Sequence, residues 1–91
     1  MIQSEFGRHL ELLRRRSGKS RYRLAQYTGL DQAYLLRLES GERSSPSRDV
    51  VIMLGLALAE NVDSIGVHDI DELLLAAEFA PLKRRGERIS R

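Results

Sequence analysis

The chain has no cysteine, so it can build neither a disulfide framework nor a thiolate metal site, and a reducing cytoplasm suits it. Tryptophan is also absent and aromatic residues make up only 5%, too few for the aromatic and β-branched strands of a β-sandwich. Long apolar runs are missing. Runs as long as any in the chain, such as Val50 to Leu54, fall far short of the ~20 residues that cross a bilayer. The start, Met1-Ile2-Gln3-Ser4-Glu5, lacks the basic segment and apolar stretch of a secretory signal. A soluble, cytoplasmic protein with no membrane partner is expected.

What is present is 31% charged and 42% apolar residues in 91 positions, enough for one modest core and one domain. This balance favours an all-α bundle. Net charge is only +2, but it is unevenly spread. Residues 1–59 hold ten Lys and Arg against six Asp and Glu, residues 60–79 none against six, and residues 80–91 five against one. A basic N-terminal half beside an acidic segment suggests that one face meets a polyanion and another does not.

Phe6, Leu10 and Leu13 recur at i, i+4 and i+7, which predicts an amphipathic helix over about residues 3–16. Ser17-Gly18 stops it, and Ser20 is placed to cap a second, short helix reaching Tyr27, with Leu24 and Ala25 inward. Gly29 ends that helix, Leu30 packs in the turn, and Asp31 caps a third helix from Gln32 to about Ser40. After the polar loop Glu42 to Ser45, Pro46 suits the first position of a fourth helix, where its missing N–H costs little. Ser45 is a candidate cap for that helix. From Val50 to Ala59 every residue but Gly55 is apolar, so this helix is expected at the bundle's centre with no wide exposed face. Ile70, Leu73, Leu74 and Ala77 predict a fifth helix, behind the early carboxylates Asp69, Asp71 and Glu72, ending near Phe79 and before Pro81.

Two short helices joined by a tight glycine turn form the helix-turn-helix arrangement, in which the second helix reads DNA. At about 100° per residue, Asp31, Tyr34, Leu35 and Leu38 face the body, while Gln32, Ala33, Leu36, Arg37 and Ser40 face outward. Gln pairs bidentately with adenine and Arg with guanine, and small or apolar side chains touch thymine methyls. Gln32 and Arg37 are therefore the candidates for direct readout. An ordinary solvated helix surface is the alternative. Arg21 and Arg23 sit in the first turn of the second helix, where the dipole disfavours cations unless a phosphate is present. Arg43 and Arg48 flank the loop after the third helix, and Ser44 and Ser45 add donors suited to a phosphate strand.

Leu24-Ala25-Gln26, Gly29, Tyr34-Leu35, Leu38-Glu39-Ser40-Gly41 and Pro46 together resemble the Cro/CI-type (XRE-like) helix-turn-helix regulators, over about residues 5–79. The resemblance implies a compact five-helix bundle of the lambda-repressor-like DNA-binding type and a transcriptional regulator, a repressor, with double-stranded DNA as partner and no cofactor. It implies base contacts from Gln32, Ala33, Leu36 and Arg37, and phosphate contacts from Ser20, Arg21, Tyr34, Arg43 and Ser44. It also implies a structural ion pair between Arg14 and Glu39. The chain departs from the common pattern at Arg21, where Gln is frequent, and at Leu36, where a small or polar residue is frequent, so its operator is expected to differ. Glu78-Phe79-Ala80-Pro81 resembles the end of the DNA-binding unit in longer regulators.

Residues 1–81 are thus read as the DNA-binding domain and residues 82–91 as a basic, disordered tail. A homodimer would set two recognition helices about 34–36 Å apart on a palindrome. Leu74, Leu75 and Phe79 are candidates for its contact patch, with Leu74 favoured as core. The competing reading is a protein-interaction module, such as an antitoxin or bridging factor, whose acidic fifth helix binds a basic partner. Gly18-Lys19-Ser20 looks like the end of a phosphate-binding loop, but Leu13 stands where that motif needs a glycine. His9 and His68 have no second ligand at metal-binding spacing, and the acidic residues of 60–78 have no nucleophile beside them, so neither a metal site nor an enzyme is expected.

Overall fold

A computed structural model describes residues 4–83. Five helices follow one another: α1 (Glu5–Ser17), α2 (Arg21–Thr28), α3 (Gln32–Ser40), α4 (Arg48–Ala59) and α5 (Val67–Ala76). There is no strand among the described residues, as an all-α bundle requires. None of the helices is long and apolar enough to cross a membrane.

Four helices begin on a side chain that accepts an otherwise orphaned backbone N–H. Ser4 accepts from Gly7 at 2.9 Å, Ser20 from Arg23 at 3.1 Å, Asp31 from Ala33 at 3.0 Å, and Ser47 from Val50 at 3.2 Å. Each such cap stabilises its helix by roughly 0.5–2 kcal/mol over alanine. The Ser47 cap corrects the expected start of α4. Arg48, not Pro46, is the first helical residue. Pro46 is buried immediately before the cap, where with Val51 it occupies the positions of a hydrophobic staple. Ser45 does not cap; it adopts φ 60° and turns the chain into the helix.

The core is drawn from every helix: Phe6, Leu10 and Leu13 of α1, Leu24 of α2, Leu35 and Leu38 of α3, Val51, Leu54 and Leu58 of α4, and Ile70, Leu73 and Leu74 of α5. α1 packs on α3, α4 and α5, while α2 bridges α3 and α4. The contact of α1 with α3 is close because position 7 is glycine. A Cβ there would lie 2.5 Å from the Glu39 carbonyl oxygen and 2.6 Å from that of Leu38.

Two further expectations are corrected. α4 does cover the core with Val51, Leu54, Ala57 and Leu58, but its opposite side is open: Leu56 is 57% exposed, with Ile52 and Met53 half-buried beside it. Five helices of this length leave α4 partly at the surface. α5 ends at Ala76, three residues before Phe79, because Glu78 takes φ 67° and the Phe79 N–H turns back to the Leu74 carbonyl at 2.8 Å. Leu74 is core, Phe79 packs partly against it, and Leu75 is exposed.

The N-terminus of α5 is tied to α1. Arg16 donates to the Asp69 carboxylate at 3.0 Å and to the Ser64 carbonyl at 3.2 Å. Asp69 in turn accepts from the Gly66 N–H at 3.1 Å. Burial pushes the Asp69 carboxyl up, but the hydrogen bonds from Gly66 and Arg16 and the positive charge of Arg16 bring it below the usual carboxylate value. At the other end, the backbone N–H groups of Leu82 and Lys83 donate to Asp71 at 2.7 and 3.4 Å. The rest of the segment read as a basic tail, from residue 84 onward, lies outside the described residues.

Candidate nucleic-acid interface

The turn between α2 and α3 is fixed by local bonds. Gly29 takes φ 77°, a conformation that side chains oppose, and its N–H donates to the Ala25 carbonyl at 2.8 Å. The Thr28 hydroxyl donates to the Leu24 carbonyl at 2.8 Å and accepts from the Leu30 N–H at 3.2 Å. Leu30 packs partly against the core. α3 therefore leaves the turn in one defined direction.

Along α3, Leu35, Leu38 and Glu39 are buried, and Gln32, Ala33, Leu36 and Arg37 are exposed, the division the helical spacing predicts. Asp31 is exposed and acts as the cap instead of facing the body. The exposed side chains form one continuous strip of amide, methyl, branched alkyl and guanidinium groups. Leu36 is a large apolar side chain left 49% exposed on this strip.

Glu39, only 2% exposed, anchors this helix from behind. The Arg14 Nε lies 2.5 Å from Glu39 Oε2 and its Nη2 lies 3.2 Å from Oε1, while Nη1 donates to the Lys19 carbonyl at 3.2 Å. The structure thus brings Arg14 and Glu39 together as the resemblance implies, and adds a second cation. Arg21 Nε donates to Glu39 Oε1 at 2.9 Å. The unfavourable charge of Arg21 at the start of α2 is compensated by a buried carboxylate, so its presence there does not by itself call for a phosphate. Its side chain keeps about a third of its surface, 32%, exposed.

Of the other residues expected to face phosphates, the structure brings Tyr34 and Arg43 together. Ser20 uses its oxygen as the α2 cap, which leaves its O–H free to donate. Tyr34 is half-buried, and the Arg43 guanidinium lies 5.5 Å from its ring centroid, within cation–π range. Ser44 is exposed. Arg23 lies 5.9 Å from the Tyr27 ring, and Arg48 reaches the Ala80 carbonyl at 3.4 Å.

Lys19 has a role that sequence reasoning missed. It is buried, and its ammonium donates to the Leu58 and Glu60 carbonyls at 3.3 and 2.7 Å, completing the C-terminus of α4. Its neighbours Gly18 and Ser20 end α1 and cap α2, so this tripeptide is occupied by helix termini. His9 and His68 come together along one groove between α1 and α5, each near a glutamate: His9 is 3.4 Å from Glu5 and His68 is 3.8 Å from Glu72. Only the pairing of α1 with α5 could have indicated that.

A family model described as a helix-turn-helix domain matches residues 5–59, which spans α1 to α4 and more than half of the chain. Comparison with curated proteins and with solved structures finds no match. With the glycine turn, the braced α3 and its exposed outer strip, this match places the chain in the XRE-like family of helix-turn-helix DNA-binding domains.

Proposed function

We propose that the chain binds specific sequences of double-stranded DNA with α3 in the major groove and regulates transcription as a repressor, by occupying its site. The observation that carries this reading is the contrast along α3: Leu35, Leu38 and Glu39 are buried and hold the helix, while Gln32, Ala33, Leu36 and Arg37 are all exposed. A preorganised strip of this chemistry reads base edges without first ordering a loop. Ser20, Arg21, Tyr34, Arg43 and Ser44 contact the phosphates on either side and fix register. The chain works without a cofactor and without catalysis, in the cytoplasm, and binds a two-fold site as a homodimer.

The competing protein-interaction reading through α5 draws less support, because two of its carboxylates are already engaged within the chain, Asp69 by Arg16 and Asp71 by the Leu82 and Lys83 amides. The deciding experiment is selection from a random duplex library at two salt concentrations, followed by sequencing. An enriched palindrome is the expected result. Salt-sensitive retention with no enriched sequence would reduce the chain to a generic DNA binder, and no retention would overturn the proposal.

A further inference from the structure

The open side of α4 carries a second surface. Asp49, Ile52, Met53, Leu56 and Glu60 follow at i, i+3, i+4, i+7 and i+11, one stripe along the helix, and with Tyr27 they line a groove of about 390 Å³. Leu56 and Tyr27 are 57% and 44% exposed. Contiguous exposed apolar side chains of this kind mark interaction surfaces.

Both ends of the stripe are acidic. Neither Asp49 nor Glu60 has a cation within ion-pair distance among the described residues. Asp49, in the first turn of α4, is favoured by the helix dipole, but Glu60 is the C-terminal cap, where an anion is disfavoured. The buried Lys19 ammonium eases the end of the helix through the Leu58 and Glu60 carbonyl oxygens, but it makes no ion pair with the Glu60 carboxylate, which stays exposed at the rim of the groove. A second copy of the chain is a poor occupant. Antiparallel two-fold packing centred between Met53 and Leu56 would set Asp49 opposite the second copy's Glu60, and parallel packing would set each carboxylate beside its own equivalent. Either juxtaposition opposes like charges.

We propose that this groove receives an amphipathic helix of a partner protein, with an apolar face and Lys or Arg at both ends. The site is separate from the DNA reading, since no groove residue belongs to the outer strip of α3.

The test uses two labelled helical peptides of about four turns that share one leucine stripe and differ only in carrying Lys or Glu at both ends. Binding is followed by anisotropy and mapped by amide chemical shifts. The Lys-ended peptide is expected to bind at least about tenfold tighter, with shifts centred on Tyr27 and Ile52 to Glu60. Leu56→Gln should weaken it about tenfold with no loss of helicity or melting temperature. Asp49→Lys with Glu60→Lys should reverse the preference between the peptides. Equal affinities, shifts centred on α3 or α5, or an unchanged Leu56→Gln affinity would overturn the proposal. So would sedimentation equilibrium showing that the chain alone dimerises and that Leu56→Gln dissociates it, because the occupant would then be a second copy.

Discussion

Arg14 and Glu39, twenty-five positions apart in the chain, form a buried two-bond ion pair that ties α1 to the back of α3. Arg21 closes on the same carboxylate from α2, so one acidic side chain connects three helices. Removing that carboxylate leaves two guanidinium groups facing each other, Arg14 with 11% of its side chain exposed. Glu39→Ala should therefore lower stability by about 3–5 kcal/mol, read as a fall in the urea midpoint at constant slope. Replacing Arg14 and Glu39 together with apolar residues of similar volume should cost less than the single change. A single-variant loss below about 1 kcal/mol would mean that the pair behaves like a solvated surface contact.

Lys19→Met keeps the aliphatic stem of Lys19 but removes its ammonium from the Leu58 and Glu60 carbonyls. Bonds of this charge-assisted kind contribute roughly 1.5–3 kcal/mol, and a loss of about that size is expected. Hydrogen exchange should quicken first at the C-terminal turn of α4. Uniform exchange changes across all five helices would argue against a local capping role.

Gly7→Ala tests the approach of α1 to α3. An alanine in a helix is ordinarily favoured over glycine by up to about 1 kcal/mol, but here its Cβ meets two backbone carbonyl oxygens at 2.5 and 2.6 Å, which cannot rotate away. The expected result is a net loss of about 1–3 kcal/mol. Gly55→Ala meets only the Ile70 side chain, at 2.9 Å, and should be tolerated better. Equal thermal shifts in the two variants would show that the α1–α3 spacing is not set by Gly7.

The five helices and the division of α3 into buried and exposed faces were legible because they depend on local spacing: leucines three and four apart, serine or aspartate before a helix, glycine after it. Elements that depend on tertiary placement were not. Nothing in the order of residues 46–48 decides between a proline start and a serine cap, and burial of Pro46 settles it. The run from Val50 to Ala59 looked wholly internal because hydropathy does not count how many neighbours exist to cover a helix. The partner of Arg21 within the fold and the buried role of Lys19 could not be read, because the groups they bond lie 18 and 39 to 41 residues away. Among the residues singled out for DNA, the α3 strip followed from periodicity and Arg21, Arg43 and Ser44 from their places at a helix start and in a polar loop; Ser20 and Tyr34 rested on the family resemblance.

The depressed Asp69 carboxyl gives the fold a specific acid sensitivity. Its folded value lies below its unfolded one, so its contribution is fully present above the unfolded pKa of about 3.9 and is lost as pH falls through the folded pKa. Asp69→Asn should lower the melting temperature near neutrality, with a difference from the parent chain that stays level above about pH 5 and closes on acidification. A difference that persists unchanged to about pH 2 would assign the effect to packing instead of charge.

Arg37 and Arg43 should separate reading from holding. Arg37 is exposed on the outer strip, so Arg37→Ala should leave the melting temperature unchanged and cost about 1–3 kcal/mol on the preferred site only, with relaxed preference at the base it meets. Arg43, stacked by Tyr34 at the edge of the interface, should behave otherwise: Arg43→Ala weakens binding to all sequences alike and lowers the salt slope by about one. Arg21→Ala is the less discriminating choice, because breaking its bond to Glu39 lowers stability and affinity together. If Arg37→Ala weakens every duplex equally and the selected sequence is unaltered, Arg37 holds the backbone, and base readout must come from Gln32, Ala33 and Leu36.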